Sequence, residues 1–84
     1  MKYIFCQRNG DDTEQFATAE VLENGQVVWD PPAQQEPLLQ FLHTLRVVDE
    51  KGKKHPLDLS SPQDWRKVPT ILCDDTFWVE QDFG

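Results

Sequence analysis

The first apolar run, Tyr3-Ile4-Phe5-Cys6, has no polar interruption, so both faces of the strand it forms are expected to be covered. That pattern belongs to a strand inside a sheet. Asn9-Gly10-Asp11-Asp12 follows, with residues that tolerate positive φ or hydrogen-bond their own backbone, and it predicts a turn. Beyond it, Asn24-Gly25 separates two strand-like runs. A two-residue type I′ loop needs positive φ at both central positions, which Asn-Gly supplies, so a hairpin of Gln15–Glu23 and Gln26–Trp29 is predicted.

Such a loop sets the pairing: Glu23 with Gln26, Leu22 with Val27, Val21 with Val28 and Glu20 with Trp29. One face then carries Ala17, Ala19, Val21 and Val28, small enough for a helix to approach closely. The other carries Phe16, Leu22, Val27 and Trp29, with Thr18 and Glu20 among them. A helix is expected on the small-residue face, which leaves the mixed face half-exposed or available for binding.

Asp30-Pro31-Pro32 ends the hairpin, because proline cannot donate to a ladder. A helix is predicted over 37–46, with Pro37 in its first turn and Leu38, Leu39, Phe41, Leu42 and Leu45 as an apolar stripe. At about 100° per residue those five side chains span roughly 160°. From Val47 to Leu59 the pattern weakens. Asp49 through Lys54 reads as an exposed turn, at most the tip of a short hairpin, and the stretch is assigned to loop. Ser61 as cap, Pro62 at the first position and Asp64 near the positive end of the dipole predict a helix over 62–68, stopped by Pro69. Trp65 and Val68 would point inward. The last β-rich run predicts a closing strand at 76–80, with Phe77 and Val79 on one side and Trp78 between Thr76 and Glu80 on the other.

The expected fold is therefore α+β: a small, mostly antiparallel sheet of the N-terminal strand, the hairpin 15–29 and the C-terminal strand 76–80. The main helix 37–46 packs on one face, accompanied by the short helix 62–68. At 84 residues the chain is expected to be a single domain, 1–84. The Phe, Tyr and Trp side chains let so short a chain reach a usable core.

Charge narrows the partners. Eight Lys and Arg against 15 Asp and Glu give a net charge of −7, which repels a phosphate backbone, so no direct nucleic-acid binding is expected. Acidity suits a basic protein partner, imitation of DNA's charge, or solubility alone. Cys6 and Cys73 read as two small buried hydrophobes. The N-terminal residues hold no stretch resembling a signal peptide and no run approaches a membrane span, so a cytoplasmic location is expected.

Candidate chemistry is sparse. Cys6, His43, His55 and Cys73 lack the close spacing of zinc ligands. Cys6 lacks electropositive neighbours, and Asp74 and Asp75 beside Cys73 disfavour a thiolate. Asp11, Asp12 and Glu14 do not match the calcium-loop pattern, and the scattered glycines form no phosphate loop. No catalytic residue, cofactor or metal is predicted. The expectation is a non-catalytic protein-binding accessory or regulatory module, meeting another protein or a second copy through Trp29, Trp78, Phe16 and Glu20. An acidic DNA-mimic inhibitor is one alternative, requiring carboxylates along one continuous surface. A small enzyme or ligand-binding domain completed by oligomerisation is the other, requiring an enclosed pocket lined by His43 or His55 with carboxylates.

Overall fold

A computed structural model describes residues 1–82. In chain order the elements are β1 (Lys2–Asn9), β2 (Asp12–Val21), β3 (Val27–Asp30), a 3-10 turn (Pro32–Gln34), α1 (Gln35–Leu42), β4 (Arg46–Val48), β5 (Lys54–Pro56), α2 (Pro62–Ile71) and β6 (Phe77–Asp82). The main sheet is antiparallel with strand order β3-β2-β1-β6, and β4 and β5 form a separate hairpin. This is a small α+β fold, with β1 inside the sheet as its uninterrupted apolar run requires. No helix among the described residues is long and apolar enough to cross a membrane.

One face of the sheet carries the core. Tyr3, Phe5, Ala17, Ala19, Val21, Trp29 and Val79 pack there against Leu38 and Leu42 of α1, Trp65 and Val68 of α2, and Val47 and Leu57 of the β4–β5 arm. The indole of Trp65 is fully buried; it stacks on Tyr3 at 5.2 Å, meets Trp29 at 5.9 Å, and donates its Nε1–H to the Leu59 carbonyl at 2.9 Å. Small side chains on β2 are what allow rings this large to sit between sheet and helices.

The β2–β3 register differs from the expected one by a single residue. Ala19 pairs with Trp29, Glu20 with Val28 and Val21 with Val27. Asn24 keeps a negative φ and only Gly25, at +90°, enters the left-handed region, so the loop has three residues, with Leu22 N–H bonded to the Gln26 carbonyl and Gly25 N–H to the Leu22 carbonyl. Three-residue loops of this kind close on a glycine bulge. The two-residue loop lies instead between β1 and β2, where Gly10 (φ +66°) comes first and Asn9 pairs with Asp12. Because strand side chains alternate with period two, the slip exchanges Val28 and Trp29. Trp29 is 7% exposed and lies on the small-residue face, whereas Val28 is 53% exposed. The predicted place of Trp29 on an uncovered surface is thereby overturned.

A bulge corrects the second large ring. Phe5 pairs with Ala17 and Cys6 with Gln15, which leaves Phe16 as the extra residue of β2. A bulge lets two consecutive side chains share a side. Phe16 accordingly joins Ala17 on the helix side, 6.4 Å from Phe5 and 5.8 Å from Phe77.

Boundaries also move: β2 runs Asp12–Val21 where Gln15–Glu23 was expected, and β6 runs Phe77–Asp82 where 76–80 was. The helix predicted over 37–46 runs Gln35–Leu42. Pro37 sits third, still within the first turn, where N–H groups have no intrahelical partner to lose. Its end comes early because Thr44 N–H and Oγ1–H both bond the Phe41 carbonyl, after which Arg46-Val47-Val48 pairs with β5. The stretch 47–59 assigned to loop therefore contains most of a hairpin. Helix α2 starts as predicted, with Ser61 accepting from Asp64 N–H and Pro62 at its head, but it continues through Pro69 to Ile71. Proline there forgoes one backbone bond and costs about 3 kcal/mol in a helix interior. Burying Leu72 and part of Ile71, with Leu72 N–H closing on the Val68 carbonyl, offsets that cost. Cys73 then falls beyond the packed turn and is exposed, contrary to its expected burial.

The register makes a direct prediction. Trp29→Ala should lower unfolding stability by about 3–5 kcal/mol, and Val28→Ala by less than about 0.5 kcal/mol, in urea titrations followed by circular dichroism. Equal losses would contradict the three-residue loop.

Candidate functional site

The four residues predicted to share an interface are divided between the two faces of the sheet. Trp29 is core and Phe16 lies on the helix side. Glu20 and Trp78 remain on the open side, but Glu20 pairs with Lys2 and Trp78 with Cys6, four positions away along β1. At about 3.3 Å per residue that separates them by roughly 13 Å. Trp78 is half-buried, with the Arg8 guanidinium carbon 6.0 Å from its ring centre. Arg8 is further held by an Nε–H bond to the Asp75 carbonyl at 3.1 Å.

Where Phe16 arrives, a groove of about 520 Å³ opens between α1, the end of α2 and β6. That volume is in the range of small-ligand and side-chain-binding clefts. Leu38 and Leu72 form its floor, Pro37 and Ile71 its margins, and Phe16, Phe41 and Phe77 its aromatic walls. Phe41 meets Phe77 edge-on at 5.5 Å, and Phe77 continues inward to buried Phe5 at 6.5 Å. Asp74 is the lone charged residue lining it, with Oδ1 accepting from the Thr76 N–H and hydroxyl.

Helical arithmetic explains why α1 presents Phe41 here. Leu38 and Leu42 are buried at the middle of the apolar arc, while Phe41 and Leu39 stand roughly 80° to either side at about 100° per residue. Leu39 is partly covered; Phe41 is 41% exposed. The position of Phe41 at the margin of the predicted stripe was the available clue to the groove. Phe16 offered none, because the bulge that turns it is set by strand pairing.

A second, polar groove of about 780 Å³ lies between the β4–β5 tip and α2. In it Asp64, 6% exposed, accepts from His55 Nε2–H at 3.1 Å and from the Asp58 backbone N–H at 2.8 Å. The buried carboxylate is thus satisfied, and it ties β5 and the loop before α2 to the start of that helix. The imidazole is held by a carboxylate, which is the arrangement that orients a general base. His43 lies outside it, at the end of α1. Asp49, Glu50 and Asp64 share this groove with Lys51, Arg66 and Lys67, so the two signs balance along it. The Ser60 hydroxyl and amide, both bonded to Asp58, hold that exposed carboxyl below its ordinary range.

On the open face of the sheet Cys6 is buried, with its thiol 3.5 Å from Glu80 Oε2. Burial first, then the hydrogen bond to Glu80 and its negative charge, push the thiol from 9.0 up to about 11. It remains a neutral thiol near neutrality and is not a nucleophile.

These cysteines yield a pH prediction. The unfolded chain loses the Cys6 proton near pH 9 and the folded chain only near 11, so between those values the folded state binds more protons. The Cys6 contribution to stability should therefore be level below about pH 9 and decline toward 11. Burial also raises Tyr3, partly offset by Arg66, which extends the decline. In denaturant titrations Cys6→Ala should flatten the slope just above pH 9; an unchanged slope would contradict the assignment. In the folded protein iodoacetamide should label Cys73 and leave Cys6 until unfolding. No protein-family model, curated protein or solved structure matches this chain, so the role of its surface has to follow from its chemistry.

Proposed function

We propose that this chain is a non-catalytic protein-binding accessory or regulatory module whose contact surface is the aromatic groove between α1 and β6. The observation that carries this reading is Phe41, 41% exposed and stacked edge-on to Phe77, in a fold that buries Tyr3, Phe5, Trp29 and Trp65 almost completely. Fully burying a phenylalanine is worth about 1.5–3 kcal/mol, so covering the exposed part of Phe41 is worth about 1 kcal/mol. A partner that supplies the cover gains an aromatic anchor backed by a rigid core, the usual composition of an interface centre.

The alternatives find less support. Imitation of DNA calls for carboxylates without interruption, whereas Lys51, Arg66 and Lys67 interleave with Asp49, Glu50 and Asp64 in the polar groove. A catalytic or small-ligand site there has the oriented imidazole of His55 in its favour. The same pair is accounted for by its role in joining β5 to α2, and the groove opens widely to solvent.

Phe41→Ser should leave the fold intact at a cost of about 1–3 kcal/mol, from the buried part of the ring and its contact with Phe77. Affinity capture from the native host should then recover a partner with the parent chain and lose it with Phe41→Ser, while Lys54→Ser, at the exposed tip of the other hairpin, should retain it. A chain that recovers nothing, or recovers the same proteins with either substitution, would remove the proposal.

A further inference from the structure

The groove also constrains the conformation and charge of its occupant. This step rests on the protein-binding reading above and specifies the partner.

An extended peptide would bind by adding a strand, which needs a free row of backbone donors and acceptors beside the groove. That row is already taken. Val79 N–H bonds the Leu72 carbonyl at 3.0 Å, and Cys73 bridges to Trp78, so the outer edge of β6 is paired where the groove ends. The opposite wall is α1, whose backbone bonds run within the helix. An α-helix needs no such partner, because it satisfies its own N–H and C=O groups while laying one apolar stripe against the groove.

Charge sets the other half of the description. Asp74 is the charged member of the lining, Asp75 follows it, and Glu36 lies beside Pro37 in the first turn of α1. Arg8, held beside them by the Asp75 carbonyl and the Trp78 ring, offsets one of these three carboxylates. Lys51, Arg66 and Lys67 line the polar groove instead. The rim facing a ligand is therefore acidic, in a chain whose net charge is −7. We infer that the groove receives an amphipathic helical segment of a partner protein, whose apolar stripe rests on Phe16, Phe41 and Phe77 and whose flanking residues are Lys or Arg. Cationic flanks speed encounter and discriminate against acidic helices of the same apolar pattern.

The test uses three synthetic helix-forming peptides with the 15N-labelled chain: leucines at i, i+3, i+4 and i+7 on a lysine background, the same leucines on a glutamate background, and the lysine composition with the leucines scattered round the helix. The lysine amphipath should shift resonances of Phe16, Phe41 and Phe77 and bind roughly tenfold tighter than the glutamate one at low salt. That preference should shrink at about 1 M salt, where the screening length is near 3 Å, and also in the Asp74→Asn, Asp75→Asn double variant. Equal binding of the lysine and glutamate peptides would overturn the charge assignment. Equal binding of the scattered peptide, shifts confined to other acidic turns such as Asp11 and Asp12, or binding of none of the three would overturn the helical occupant. Each of these failures leaves the Phe41-dependent capture standing, whereas loss of that dependence defeats the protein-binding reading itself.

Discussion

The structure depends on the burial of Trp65. Its ring lies between Tyr3 of the central strand and Trp29 of the edge strand, and its one polar atom is satisfied by the Leu59 carbonyl. Through this single side chain α2, the loop that precedes it and two strands of the sheet are held to one another. A chain this short buries a modest fraction of its surface, so a few large rings must carry much of the apolar gain. Alanines at 17 and 19 make the space, and removing bulk from β2 is as necessary as supplying it from α2.

Two irregularities of backbone pairing decide where the remaining rings go. The three-residue loop after β2 turns Trp29 inward, and the bulge opposite Phe5 and Cys6 turns Phe16 to the same side. The sheet face left without helices consequently carries less aromatic surface, with Trp78 half-buried beside Arg8. The aromatic surface that solvent does reach lies at the end of the sheet, between α1 and β6. There Phe41 and Phe77 extend the core outward, so a partner that covers them adds to an existing packed cluster and meets little mobile side-chain entropy.

The charged residues divide by location. Cations gather at the β4–β5 tip and on α2, and their neighbouring carboxylates either balance them or, like Asp64, serve as internal fasteners. At the end of the sheet Asp74 and Asp75 outnumber the one neighbouring cation, Arg8. In the helix-binding proposal, the aromatic groove supplies the apolar contact, the net negative rim selects for positive charge, and the pairing of β6 at Val79 and Trp78 leaves no row of backbone partners beside the groove. Under that proposal the acidity of the chain contributes to selection of the partner.

Several features followed from local residue patterns. The central placement of β1, the Ser61-Pro62 start of α2 with Trp65 and Val68 inward, the apolar stripe of α1 and the small-residue face of β2 all depend on neighbours within a few positions, so alternation, helical periodicity and capping chemistry reveal them. The candidate interface did not follow in this way. Whether Asn24-Gly25 closes a two- or a three-residue loop, whether a bulge falls opposite Phe5, and whether three residues at Lys54–Pro56 form a strand are choices between local states of similar energy. Tertiary packing makes those choices, because only the assembled core rewards turning Trp29 and Phe16 toward Phe5, Trp65 and Phe77.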